Sequence, residues 1–220
     1  MSQASSSGLG ESAEKPPEGS RRDFLFIATT TFAGFGAAAA VVPFFSQMEP
    51  DASTIAAGGP VDIDLKTTAP GQNIVALWRR RPIYILRRPP DLLASLRSPQ
   101  LIDLLADPGC NVWQQPPYAA NWHRSIKPEF LVVVGICTHL GCLPKCFPNA
   151  SPTVPVAAWP GGYFCPCHGS KYDLAGRVFK GVPAPYNLPV PPYRFVSDTI
   201  VRIGENPSGE KFDFDSIVQI

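Results

Sequence analysis

Apolar and polar positions divide the 220-residue chain into two unlike parts. From Phe24 to Phe45 no charged residue occurs over 22 positions. As a helix this run measures about 33 Å at about 1.5 Å per residue, enough to cross a hydrocarbon core of about 30 Å. It is longer than the apolar region of a secretory signal, about 7–15 residues. Thr29, Thr30, Thr31, Gly34, Gly36 and a string of alanines temper its hydrophobicity. Pro43 falls in its last turn, where a lost backbone bond can reach the interface. The run reads as one N-terminal transmembrane helix over 24–45.

From Val61 the period changes. Val61 to Leu65 alternates apolar and polar, as a half-buried strand does. Asn73 to Trp78 and Ile83 to Leu86 read as a strand pair joined by Arg79, Arg80, Arg81 and Pro82, a solvated turn or a docking patch. Leu92, Leu93, Leu96, Leu101, Leu104 and Leu105 give Pro90 to Leu105 an imperfect helical face. Phe130 to Ile136 is continuously apolar and fits a buried strand. Eleven prolines lie between Cys137 and Pro192, and no long helix survives there. Short strands are expected at Gly162–Phe164, Arg177–Phe179, Arg194–Val196 and Ile200–Ile203. The head, 61–220, is therefore mostly β with one helical insertion.

Two flanking segments complete the organisation. Residues 1–23 are rich in Ser, Glu, Gly and Pro and read as a disordered tail. The tail ends in Ser20-Arg21-Arg22-Asp23-Phe24-Leu25-Phe26, which resembles a twin-arginine export signal, the kind used by proteins exported already folded. The plainer reading of Arg21 and Arg22 is a positive-inside flank. Both put the N-terminus in the cytoplasm. No convincing small-residue cleavage site follows the apolar run, so the helix is expected to be retained. Residues 46–60, SQMEPDASTIAAGGP, are short in large apolar side chains and read as a flexible linker or plain tether.

Charge and composition narrow the function. Charged residues make up 17% and the formal net charge is +1, which excludes a nucleic-acid binder driven by bulk electrostatics. The head holds 16 basic and 12 acidic residues, so near-neutrality hides a mildly basic head and an acidic tail and linker. Proline is in excess, 26 residues, and concentrates where two cysteine-bearing boxes lie.

Those boxes are Cys137-Thr138-His139-Leu140-Gly141-Cys142 and Cys165-Pro166-Cys167-His168-Gly169-Ser170. Each follows an apolar strand and offers a thiol, an imidazole and a second cysteine. The chain has three histidines, and two fall in these matched loops. Two Cys and two His suit a structural zinc ion, but zinc leaves the second cysteine of each loop unexplained.

The two boxes resemble those of the Rieske iron–sulfur family, specifically the Rieske subunit of cytochrome bc complexes, and the resemblance runs the length of the chain. It implies an antiparallel β-sandwich head with a small cluster-binding subdomain at about 137–192, plus the N-terminal transmembrane helix. It implies one [2Fe-2S] cluster, with Cys137 and Cys165 on one iron and His139 and His168 on the other. It implies a disulfide between Cys142 and Cys167, and donors to the sulfurs from Ser170 and Tyr172. Gly181 to Leu188, with Gly181, Pro183 and Pro185, is similar to the family's proline loop covering the cluster, and Leu140 would sit at the docking tip. Imidazole ligands leave a diferric cluster neutral where four thiolates leave it at −2, which raises the potential. They also let His139 and His168 take up a proton as the iron is reduced.

The resemblance further implies a function, a place and partners. The function is electron transfer from ubiquinol, at a cytochrome b site, to a membrane-bound c-type cytochrome within a dimeric multisubunit quinol–cytochrome c reductase. The place is a bacterial inner membrane, with the head periplasmic and swinging on residues 46–60. Competing readings are the small Rieske subunit of a periplasmic oxidase such as arsenite oxidase, a Rieske ferredoxin of an oxygenase, and a zinc-stabilised membrane-tethered binding module. Cys110 and Cys146 are left over; in an exported protein two spare thiols favour a second disulfide, and the sequence leaves open whether these two pair. Cys146 opens an extra stretch, about 146–160, longer than in short family members. His123 reads as an ordinary loop histidine.

Overall fold

The structure is a computed structural model that describes residues 19–48, 58–149, 159 and 161–219. The chain divides into two compact units, Met1–Asp51 and Ala52–Ile220.

In the first unit, helix α1 (Arg21–Ser46) is longer than the uncharged run because Ser20 and Asp23 cap it reciprocally. The Asp23 amide donates to Ser20 Oγ and the Ser20 amide to Asp23 Oδ2, satisfying two orphan donors of the first turn. None of its side chains is buried. Thr29, Thr30 and Thr31 donate their hydroxyls to the carbonyls of Leu25, Phe26 and Ile27 at 2.7–2.9 Å. That satisfies polar groups an apolar medium could not. The helix is long and apolar enough to span a membrane.

Among the described residues the second unit holds three antiparallel sheets of three strands. The first contains β1 (Val61–Asp64), and the second begins with β2 (Asn73–Trp78) and β3 (Arg81–Arg87). Two short helices follow, α2 (Pro90–Ser95) and α3 (Pro99–Leu104), then β4 (Phe130–Val134). The third sheet is β5 (Lys145–Phe147), β6 (Gly162–Phe164) and β7 (Lys171–Tyr172). The chain returns to the first sheet with β8 (Tyr193–Phe195) and β9 (Ile200–Ile203). Strand orders are β1-β9-β8, β2-β3-β4 and β5-β6-β7. The apolar residues from Phe130 to Val134 are all buried, as a strand without polar alternation requires, and β4 carries the chain from the core to the first box.

Several expectations need correction. Pro90 to Leu105 is two helices, because Pro99 lacks an amide hydrogen and holds Ser98 extended, at ψ 132°. Ser98 then caps α3 through its hydroxyl. Arg177–Phe179 is no strand: Val178 and Phe179 make single bridges to Tyr172 and Leu105, because Asp173 and Arg177 close a tight turn. The strand expected at Arg194–Val196 begins one residue earlier. The connection in the first strand pair is only two residues, Arg79 and Arg80, and Arg81 and Pro82 belong to β3. Strand β5, at the start of the extra stretch, and β7 were not anticipated; residues 150–158 and 160 of that stretch lie outside the described residues.

Three buried arginines join the segments around the third sheet to the rest of the head. Arg88 donates to the carbonyls of Pro128, His123 and Leu174 and to Ser125 Oγ. Arg124 donates to the carbonyls of Ala175, Gly176 and Leu188 and to Gln115 Oε1. Arg177 pairs with Asp173 at 2.7 Å and donates to the Leu96 carbonyl. Asp173 also accepts from the amides of Ala175 and Arg177. Burial lowers Arg88 to about 10, so it stays cationic at neutral pH.

Removing one partner of a buried ion pair strands the other charge. Asp173→Ala is expected to destabilise the head by about 3–5 kcal/mol, read as a lowered urea midpoint of the detergent-solubilised chain. His123, whose Nδ1 lies 2.8 Å from Ser125 Oγ, is pushed down to about 4 by burial and by Arg88. The folded state therefore binds this proton less readily than the unfolded chain, where histidine titrates near about 6.5. Stability from this group is full above about 6.5 and lost as pH falls toward 4. Melting curves of wild type should show a decline across that window, and His123→Gln should flatten it.

Candidate metal centre

The two boxes fold into near-copies of one loop. In the first, the Cys137 amide donates to the Cys142 carbonyl at 2.8 Å and the Gly141 amide to the Cys137 carbonyl at 3.0 Å. In the second, the Cys165 amide donates to the Ser170 carbonyl at 2.8 Å and the Gly169 amide to the Cys165 carbonyl at 3.0 Å. Gly141 and Gly169 hold equivalent places with φ of +82° and +77°, conformations that a Cβ disfavours. The glycines are thus needed to turn the chain back after each box.

Equivalent loops put equivalent chemistry on two levels. Cys137 and Cys165 are buried, His139 is half-buried and His168 is exposed. The imidazoles meet edge to face, centroids 4.7 Å apart. Thiols therefore line the inside of the site and imidazoles its outer rim. Burial pushes the Cys165 thiol up, and a hydrogen bond with the neighbouring Cys137 sulfur adds to this.

Cys142 and Cys167 are bonded to each other, tying the loops with Cα atoms 6.6 Å apart. The sulfurs of Cys142, Cys165 and Cys167 lie mutually within 4.8 Å. Two of the three are consumed by the disulfide, so only Cys165 in that trio can act as a thiolate. Cys110 and Cys146 are free, so the second bridge that the sequence left open is not formed. The Cys110 sulfur packs 3.9 Å from the Asn121 carbonyl. Burial pushes Cys146 up to about 12, so it is an inert thiol.

Of the donors expected from the sequence, Tyr172 lies against a buried thiol. The Tyr172 hydroxyl lies 3.2 Å from Cys137 Sγ and accepts from the Thr138 amide. Thr138 Oγ1 is 3.2 Å from the same hydroxyl and donates to the Tyr186 carbonyl at 2.8 Å. With the threonine proton spent on Tyr186, the tyrosine proton remains to be given, and an ionised Cys137 is its strongest acceptor. Ser170 Oγ accepts from the Ala184 amide at 3.1 Å, leaving its own proton free. Thr138 and Ala184 were not singled out in the sequence. Their roles depend on where the proline loop crosses the first box, which no local pattern encodes.

The proline loop is pinned from beneath. Asn187 Oδ1 accepts from the Val178 amide, and its amide group donates to the Asp107 carbonyl. Gly181, Pro183 and Pro185 are exposed while Ala184 is buried. Leu140 is 71% exposed and Leu143 55%, one within the first box and the other directly after it.

Two buried thiols, two imidazoles at the rim and a tyrosine hydroxyl against one of the sulfurs fit a cluster with sulfur on one iron and nitrogen on the other. Residues 111–193 match the Rieske [2Fe-2S] domain family, and residues 11–51 match the family described as Ubiquitinol-cytochrome C reductase Fe-S subunit TAT signal. The fold and site thus define a Rieske protein carrying one [2Fe-2S] cluster, with the twin-arginine reading of Arg21 and Arg22 upheld.

Among curated relatives, the ubiquinol-cytochrome c reductase iron-sulfur subunit of Allochromatium vinosum is 47% identical over 188 residues, covering 84% of this chain and 89% of the relative. The subunit of the same name from Bradyrhizobium diazoefficiens is 47% identical over 193 residues, covering 88% and 97%. That from Blastochloris viridis is 46% identical over 187 residues, covering 85% and 94%. The chain belongs to the family of ubiquinol–cytochrome c reductase iron–sulfur subunits.

The disulfide closes a loop of sequence separation 25, for which chain entropy gives about 3.5 kcal/mol. The paired variant Cys142→Ala, Cys167→Ala is expected to lower the denaturation midpoint accordingly and to lose iron faster on incubation. Non-reducing peptide mapping should find this bridge and unmodified Cys110 and Cys146.

Proposed function

We propose that this chain takes one electron from ubiquinol at a cytochrome b site and passes it to a membrane-bound c-type cytochrome, with release of protons. The single observation that carries this reading is the layering of the site, thiols buried and imidazoles at the rim beside exposed Leu140. The bound cluster supplies one-electron redox chemistry at a potential raised by its histidine ligands.

In this reading Cys137 and Cys165 would hold one iron of the cluster and His139 and His168 the other. A ring nitrogen held at the rim would be placed to accept a hydrogen bond from a quinol hydroxyl and to take its proton. The proline loop, through Ala184 and Tyr186, keeps water from the thiolates. Leu140 and Leu143 offer apolar surface for the cytochrome b pocket. The apolar helix and export signal support an inner-membrane anchor with residues 1–23 cytoplasmic and the head, 61–220, periplasmic. Residues 46–60 would be the hinge between positions of the head, within a dimeric multisubunit complex. Most of this linker lies outside the described residues.

The test is a redox titration of the intact complex combined with quinol–cytochrome c turnover. Ser170→Ala is expected to lower the midpoint potential and slow quinol oxidation while leaving the cluster spectrum intact, and Tyr172→Phe to do the same independently. An unchanged potential in both variants would remove the hydroxyls from the account. Failure of ubiquinol to reduce the wild-type centre would overturn the function.

A further inference from the structure

The turn between β2 and β3 is left unexplained by electron transfer. Its two central residues are Arg79 and Arg80, closed by the pair Trp78 and Arg81. Both have positive φ, 48° and 61°, as a type I′ turn demands, and such turns favour Asn-Gly. Two arginines here oppose the local preference, and backbone strain of this kind clusters at functional surfaces.

The surface around the turn is amphipathic. Val75 and Leu77, on the outer face of edge strand β2, are 60% and 68% exposed. Arg80 is exposed and makes no ion pair among the described residues. Arg79 lies over the Trp78 ring at 4.8 Å and reaches Asp215 at 3.5 Å, but both groups of that pair are well exposed, so it holds the guanidinium weakly. Arg81 lies over the Phe214 ring. Cationic forks beside apolar side chains match a phospholipid surface, where phosphates take guanidinium bidentately and aliphatic groups reach the acyl boundary.

The turn also sits where the linker joins the head. A Cβ on Gly204 would come within 2.4 Å of Trp78 Nε1 and 3.3 Å of the Pro60 Cα, so Pro60, Gly204 and Trp78 pack together. The linker of residues 46–60 reaches at most about 50 Å fully extended. A tether of that length permits the turn to approach the bilayer that holds the helix.

We infer that Arg79, Arg80 and Arg81, with Val75 and Leu77, form a docking surface for anionic phospholipid headgroups that holds the base of the head at the membrane. This rests on α1 being in the bilayer, as proposed above. The test places the full chain in nanodiscs of phosphatidylcholine alone or phosphatidylcholine with phosphatidylglycerol. The rate of arginine modification by phenylglyoxal is then read by mass spectrometry, with exposed Arg97 as internal control.

Anionic lipid should slow modification of Arg79 and Arg80 severalfold, reversibly by salt, and leave Arg97 unchanged. The variant Arg79→Asn, Arg80→Gly suits the turn better, so its melting temperature should rise while the lipid-dependent protection of Arg81 disappears. Equal rates in the two lipids, in chains that co-elute with the discs, would overturn the inference. So would protection seen only in the assembled complex and independent of lipid, which would assign the turn to a protein partner. Chains that fail to enter the discs would instead contradict the anchoring of α1.

Discussion

Everything at the metal centre depends on guanidinium groups buried among backbone carbonyls. The boxes and the proline loop are irregular chain, and irregular chain taken out of water leaves carbonyls that no ladder satisfies. Arg88 and Arg124 answer for Leu174, Ala175, Gly176 and Leu188, all in the segments that run from the second box to the proline loop. Neither has a carboxylate partner among its hydrogen bonds; carbonyls and two neutral side chains take up all of Arg88 and the two terminal nitrogens of Arg124, whose Nε is buried without a partner among the described residues. An arginine is suited to this because its planar fork carries five donors. The third, Arg177, is neutralised by Asp173 and fixes the turn between them.

On that frame the loops can be short and still hold their geometry. Each closes on itself by the same two backbone bonds, and the disulfide locks one to the other on the exposed side. The sulfurs that can ionise face inward toward Tyr172, and Ser170 is buried beside them. The groups that can move a proton face outward. A site built to hold a zinc ion for stability alone needs no such asymmetry, whereas proton-coupled electron exchange requires a dry interior and an accessible rim.

Legibility in the sequence followed the range of the interactions. The boxes, the helix, the strand pair and β4 are encoded within a few residues, by spacing, run length or continuous apolarity. Pro99 marked its break as plainly, but the leucines on either side share one helical face and hid it. Strand β7 is two residues long and β5 three, too short to carry a period. Thr138, Ala184, Asn187 and the buried arginines act across dozens of residues, and nothing local separates Arg124 from solvent-facing Arg97. Cys110 and Cys146 show the limit most clearly: export favours pairing leftover cysteines, yet each sits in its own surroundings, Cys110 buried against Asn121 and Cys146 half-buried beside Tyr163.

The assignment of the imidazoles to one iron of the cluster is the central claim. Pulsed electron paramagnetic resonance of the reduced membrane-bound protein, grown with nitrogen-15 histidine, tests it most directly. The account predicts hyperfine coupling to two histidine nitrogens on a two-iron centre, lost as the centre is lost in His139→Ala or His168→Ala. A two-iron centre without histidine coupling, or a colourless protein with zinc in place of iron, would contradict it.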